Sequence, residues 1–522
     1  MNRIPIVAMG GNSAHVPEHT LEACVAAYTA GADWQWIQVQ MSQDGVPVLF
    51  GHPDLSATTT GSGPVHANPL ATLRGLSVGA HFKPGGDLPW SGTTNRKGGV
   101  IPKARMATLE ELWRRLGRLT GWFVEVTAPD AASWKTAVAK VQAIAERFGE
   151  TRFVLVSGDR ESTRLLAKQG SPAGLVATGD NLSPDLLEWC RGNAIRYLFA
   201  SDGPAARELA VKATGSGVEV IIACGDNPPE DVAAIPCAVA ARSVLSLADA
   251  LRGRCEVFSD EFVGNHIDRE KWIAGISSGH ELQSSLIARR AGYNIFGAGL
   301  QNLIQNVYDN RTSSEATVRQ NNGLFVDVVR GSHYASAGVV SVISVPDPFQ
   351  LQVDFTFENP QTANMMVLAV TNITVFDRFH QEGNVPNPRA HMENPIFDTH
   401  GMAPYVSMER EERDGFRIMH NDGPDGLIEW YGNVYCPDVG HGDSLRGRFM
   451  LERRGHLFSG YYQDEQNPQW VSVGFVECAS MNERVYVRLA SKHYPKAEQR
   501  DPLFANRSTY QHFRATTWRR CD

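Results

Sequence analysis

Over residues 1 to about 253, short apolar runs alternate with stretches whose apolar positions recur at helical spacing. The runs are IPIVAM (4–9), WIQVQM (36–41), WFVEV (122–126), FVLVS (153–157), GLVAT (174–178), IRYLF (195–199), VEVIIA (218–223) and CAVAA (237–241). Between them, 20–32, 107–119 and 133–148 read as amphipathic helices. Nearly continuous apolar strands alternating with helices specify parallel strands covered by helices, and eight of them suit a closed (β/α)8 TIM barrel better than an open doubly wound sheet. One further run, VPVLF (46–50), follows the turn Gln43-Asp44-Gly45 too closely for a crossover. It predicts an antiparallel arm on the second strand.

From about residue 255 the period changes to two. The runs 323–329, 338–345, 349–357, 365–373, 447–454, 457–463, 470–477 and 484–490 are separated by turn residues, with almost no helical spacing between them. This pattern predicts a two-sheet antiparallel β-sandwich. The change falls near 252–262, so the expected division is a barrel at 1–252 and a sandwich at 256–522.

Composition narrows the classes. A chain of 522 residues exceeds what one hydrophobic core organises. Its net charge of -8 argues against nucleic acid as the main partner, because phosphate neutralisation needs a basic field. No apolar run approaches the roughly 18 residues of a transmembrane helix, and the start has no leader-like apolar stretch. The expected location is cytoplasmic, or reached by a non-classical export route, with particle or surface association as the other expectation. The eight cysteines form no CxxC pair, which predicts reduced, mostly buried thiols and gives no zinc signature. A homo-oligomer is compatible with all of this.

Residues 6–55 contain Pro17-Glu18, Thr20-Leu21, Gly31-Ala32-Asp33 and the run Asp44 to Val48. They are followed by TTGSGPV (59–65), ATLEEL (107–112) and VEVT (124–127). In these words the first half resembles the glycerophosphodiester phosphodiesterase family. The resemblance implies a barrel whose acid–base histidines and metal-binding carboxylates sit at the C-terminal ends of the strands. It also implies that most of them are replaced here. The family's H-R-G after strand one is Met9-Gly10-Gly11, its strand-two E-x-D places Trp36 and Gln38, its H-D after the hairpin is Gly51-His52, and its strand-four Lys is Thr127. Of the matched positions only Glu125 keeps the family identity.

A hard cation wants several carboxylate oxygens. Trp36 offers none and Gln38 one neutral carbonyl, so no metal and no other cofactor is expected. The candidates for acid–base chemistry are Glu125, His52 and Asp202, with His15 as a shifted histidine in the first loop. The rim candidates for ligand binding are Asn12, Trp36, Gln38, Asp159, Asp226 and Arg242. Trp36 reads either as a stacking surface for a sugar ring or as barrel filling. The Gly-rich segment 83–99, with Arg96-Lys97, reads as a long loop over the rim.

In the second half, FSDEFVGNHIDREKW (258–272) resembles the opening of concanavalin-like jelly rolls of the laminin-G or glucanase type. No E-x-D-x-x-E strand of the glucanase branch is present. Trp430, Tyr431 and Tyr435, with His391, Glu393, His400 and Glu409, read as a candidate sugar groove. The expected function is a pseudoenzyme barrel fused to a lectin-like sandwich, binding carbohydrate or another small polar ligand, as a cell-surface or virus-particle component. The alternatives are a hydrolase or lyase acting on a glycan through rewired carboxylates, and a metal-dependent glycerophosphodiester phosphodiesterase.

Overall fold

Each predicted apolar run of the first half becomes a strand because both of its faces find cover. In the computed structural model they are β1 (Ile6–Met9), β2 (Trp34–Met41), β3 (Pro47–Leu49), β4 (Gly121–Val126), β5 (Phe153–Ser157), β6 (Ala173–Ala177), β7 (Tyr197–Ser201), β8 (Glu219–Ala223) and β9 (Ala238–Ala241). The structure describes residues 4–82, 104–149, 152–177, 182–183, 185–226, 228–278, 311–312, 316–329, 335–358, 364–372, 404–411, 415–421, 428–434, 444–465, 468–493 and 505–518. The chain divides into two compact units, whose boundary in the sequence falls between Gly253 and Arg254.

In the first unit β1 pairs in parallel with β2 on one side and β9 on the other, and the remaining parallel pairings run β2–β4–β5–β6–β7–β8–β9, which closes a barrel. β3 is the antiparallel arm on β2, with Val39 opposite Leu49. Helices α1 (Leu21–Thr29), α2 (Leu70–Arg74), α3 (Leu109–Leu116), α4 (Ala131–Phe148), α5 (Arg160–Lys168), α6 (Leu186–Gly192), α7 (Pro204–Ala213) and α8 (Val244–Arg252) lie between or after the strands. Their starts are written locally. Thr20 accepts from the Ala23 N–H, and Thr108 with Glu111 forms a complete capping box inside the ATLEEL word.

The barrel interior is packed rather than hollow. Phe123 sits among Trp34, Tyr197 and Phe199, with ring centroids 4.8, 5.1 and 4.9 Å away. Val7, Val154, Val156, Ile221 and Ala240 complete the buried cluster. Gly121 is required by this packing. A Cβ there would come within 2.3 Å of the Trp34 ring.

In the second unit every pairing among the described strands is antiparallel. One sheet runs β12 (Arg311–Thr312), β13 (Ala316–Gln320), β14 (Leu324–Val329), β25 (Ala505–Thr517), β16 (Phe349–Glu358), β21 (Ser444–Arg454), β22 (Leu457–Asp464) and β23 (Val471–Glu477), with β10 (Cys255–Asp260) also on β25. The other runs β11 (Trp272–Ser278), β15 (Ala335–Pro346), β24 (Arg484–His493), β17 (Asn364–Thr371), β18 (Tyr405–Glu411), β19 (Gly415–Asn421) and β20 (Ile428–Val434). Rings join the two: Phe416 of β19 stacks on Tyr462 of β22 at 3.9 Å and lies 5.7 Å from Phe449 of β21. The buried Tyr510 hydroxyl of β25 donates to the Ala490 carbonyl at 2.5 Å and accepts from the Val367 N–H at 3.0 Å, both in the facing sheet. None of the six described cysteines is in a disulfide.

Phe123 is the centre of the barrel core, and truncating it leaves a cavity that three other rings cannot fill without moving. Phe123→Ala should lower the unfolding free energy by about 3–5 kcal/mol, measured by denaturant titration.

Candidate functional site

The C-terminal end of the β2–β4 seam gathers the polar residues of the mouth. Gln38 lies beside Glu125 in the parallel register, and its amide Nε2 donates to Glu125 Oε2 at 2.9 Å. Burial pushes the Glu125 carboxyl above its ordinary pKa, opposed by the Gln38 amide and by the nearby Trp36 indole. The Trp36 N–H approaches that carboxylate without a well-aligned hydrogen bond. The Trp36 ring packs 5.0 Å from Phe199, on top of the barrel core.

The second element is a histidine that the sequence candidates do not include. His19 sits in the loop before α1 at φ +56°, a left-handed conformation uncommon for a non-glycine residue. It is 7% exposed, and its Nδ1 accepts from the Gln38 backbone N–H at 3.3 Å. Burial first, then the neighbouring His52, pushes its pKa down to about 4, against the pull of Glu18. A neutral imidazole whose Nδ1 accepts carries its proton on Nε2.

Gly51 shows why His19 fits there. A Cβ at position 51 would lie 2.3 Å from Gln38 Oε1 and 2.7 Å from His19 Nε2. Gln38 and His19 therefore occupy the space that a side chain at 51 would need. The imidazole missing from position 51 is regained in the same corner from position 19. The only sequence signal is the position left open between Pro17-Glu18 and Thr20-Leu21.

The third element is a charged band. His52 Nε2 lies 2.5 Å from Glu18 Oε1, Arg242 Nη2 donates to Glu18 Oε2 at 2.9 Å, and Arg242 Nη1 stands 3.8 Å from Asp226. Burial alone would raise the Glu18 carboxyl, but His19, Arg242 and His52 together hold it below the ordinary carboxylate value. Beyond the Gln38–Glu125 layer opens a groove of about 760 Å3, between the β2–β3 arm, His52, His66, Thr127 and the first turns of α4.

Other expected site residues stand apart, each for a physical reason. Asn12 is fully buried and accepts from the Val244 N–H at the start of α8, so it is scaffold and not rim. Asp159 caps α5 through the Ser162 N–H at 2.7 Å. Asp202 is gripped by Arg207 through two hydrogen bonds of 2.8 and 3.0 Å, and Arg207 also binds Asp231. His15 is buried against the Ser243 hydroxyl. In the second unit Glu409 is buried in an ion pair with Arg417 at 2.7 Å and does not line a surface groove. Segment 83–99, His391, Glu393, His400 and Tyr435 lie outside the described residues, as do the side chains of Trp430 and Tyr431 on β20.

The mouth does not fit the divalent cation that the resemblance implies. Among the described residues no three His, Cys, Asp or Glu side chains gather as a metal site. Glu125, the one retained carboxylate, already receives the Gln38 amide.

Two outcomes follow from the His19 corner. Gly51→Ala should cost about 1–3 kcal/mol of stability through overpacking, and a His19→Ala background should relieve part of that loss while the contact with Gln38 Oε1 remains, read from a double-mutant unfolding cycle. Because the folded pKa of His19 is depressed from 6.5 to about 4, the unfolded chain binds the extra proton between those values. Its contribution is complete above pH 6.5 and is lost as pH falls toward 4, by about 3 kcal/mol. His19→Asn should flatten the unfolding free energy over that window.

Comparison with known proteins agrees with the barrel. The model of the glycerophosphoryl diester phosphodiesterase family matches residues 11–219. An uncharacterized protein of Mycobacterium tuberculosis (strain ATCC 25618 / H37Rv) is 42% identical over 77 residues, 15% of this chain, and the chain spans only 26% of that protein's length. The "Probable glycerophosphodiester phosphodiesterase 1" of Mycobacterium tuberculosis (strain CDC 1551 / Oshkosh) is 30% identical over 209 residues, 40% of this chain and 70% of that protein. A solved glycerophosphodiester phosphodiesterase from Agrobacterium tumefaciens str. C58 aligns with 47% of this chain and 99% of its own, at 21% identity and a TM-score of 0.37. With the family words in place along the closed barrel and a relative covered over most of its length, this chain belongs, through its first unit, to the glycerophosphoryl diester phosphodiesterase family.

Proposed function

We propose that the barrel has lost metal-dependent phosphodiester cleavage and serves as a binding module. Together with the sandwich it forms a carbohydrate- or surface-binding protein. The observation that carries this reading is the Gln38–Glu125 hydrogen bond at 2.9 Å. A neutral amide stands where cleavage would require a second carboxylate, and without a cation there is nothing to neutralise the charge of a phosphodiester as it is attacked. The remaining mouth histidines are both committed. His19 is held neutral under Gln38, and His52 is tied to Glu18.

A glycan hydrolase or lyase working through rewired carboxylates is less well supported. It needs two carboxyl groups facing one substrate. Glu125 is available, but Asp159 caps a helix and Asp202 is held by Arg207.

With glycerophosphocholine or bis(p-nitrophenyl) phosphate in millimolar Mg2+ or Ca2+, the full chain should show no turnover above the protein-free rate. Turnover that EDTA abolishes, and that Glu125→Gln also removes, would overturn the reading.

A further inference from the structure

The groove beside the mouth has a chemical character of its own. Among its seventeen lining residues there is no Asp, Glu, Lys or Arg. Its volume of about 760 Å3 lies within the usual range for small-ligand sites, roughly 300–1,000 Å3. Pro53, Pro64 and Pro129 give it apolar walls, and hydroxyls, amides and imidazoles supply the polar part.

The direction of the hydrogen bonds is what selects a ligand. The Ser133 hydroxyl donates to Asp130 Oδ2 at 2.8 Å, and the Thr136 hydroxyl to the Ala132 carbonyl at 3.1 Å. The Ser42 hydroxyl donates to Asp44 at 2.6 Å. The Gln40 amide donates to the His52 carbonyl at 2.6 Å and to Phe50 at 3.4 Å. These groups have committed their protons within the protein. What Ser133, Thr136 and Gln40 keep for a ligand is oxygen lone pairs. The Thr127 hydroxyl at the floor is enclosed and has no partner among the described residues.

A phosphate ester brings negative charge and acceptor oxygens, but no lysine or arginine lines this groove, and the Lys140 ammonium at its edge already donates to the Gly45 carbonyl. A saccharide brings hydroxyl protons and a carbon face that can lie on prolines. We infer that the groove between the β2–β3 arm and α4 is the binding site for an uncharged saccharide, held chiefly as a hydroxyl donor to Gln40, Ser133 and Thr136. This assignment rests on the carbohydrate-binding reading above and adds the place and the charge class.

The test screens the full chain on a glycan array, then titrates the strongest neutral hit, its free monosaccharide, sn-glycerol 3-phosphate and inorganic phosphate by calorimetry. Two variants change the groove from the exposed first turns of α4: Ser133→Ala/Thr136→Val, which removes acceptors, and Ala132→Trp, which fills the space. The expected result is that a neutral glycan binds, that the double variant weakens it at least tenfold, and that Ala132→Trp abolishes it. Melting temperatures should stay unchanged. A neutral hit that both variants bind with full affinity overturns the groove assignment and leaves carbohydrate binding standing, at another place on the chain. A blank array overturns both. Tighter binding of glycerol phosphate or phosphate than of every sugar, lost in Ala132→Trp, overturns the uncharged class while keeping the location.

Discussion

The barrel mouth is organised around one residue, Gln38. Its side-chain amide bonds Glu125, its side-chain oxygen lies over the Cα of Gly51, and its backbone N–H fixes the tautomer of His19. Each contact constrains the next. A carboxylate at position 38 would meet Glu125 across the β2–β4 register, where two like charges without a cation repel and raise each other's pKa. The amide removes that repulsion and supplies a donor. With the amide in place, the space above position 51 is filled, so only glycine fits, and the imidazole beside it must come from another segment.

The scaffold around this corner is kept by residues that have nothing to do with chemistry. Asp33, from the Gly-Ala-Asp word, accepts from the Ile6 N–H at 2.9 Å and pairs with the buried Arg252 at 2.6 Å, tying β1 and β2 to the end of α8. Asn12 joins the first loop to the start of α8, and Thr20 caps α1. Such contacts explain how the family's fold words can persist while its charged mouth is rebuilt, since packing and capping do not depend on which groups face the ligand.

The barrel was legible in the sequence because its signal is repetitive. Apolar runs alternate with helical spacing, and the arm at 46–50 follows from a turn too short for a crossover. The site was legible only where a position could be compared with a family word, as at Trp36, Gln38, Gly51 and Glu125. Contacts set by the closed barrel were not. Asp202 looked like a spare carboxylate until Arg207 of α7 folded onto it, and Asn12 looked like a rim amide until the start of α8, more than two hundred residues on, buried it. His19 was missed for the opposite reason. It lies inside a matched word, at the position that word leaves open, and its meaning depends on the absence of a side chain at Gly51.

Two separate features of the first unit point the same way. At the mouth, a neutral amide and a neutral imidazole stand where the family words carry charge or metal ligands. In the groove, Thr127 stands where the strand-four word carries lysine, and Ser133 and Thr136 have committed their hydroxyl protons inward. At the seam the Arg242 guanidinium is shared between Glu18 and Asp226, and at the edge of the groove the Lys140 ammonium donates to the Gly45 carbonyl. The charged and polar groups described at the mouth are paired within the protein: Glu18 holds His52 and Arg242, and Glu125 receives the Gln38 amide.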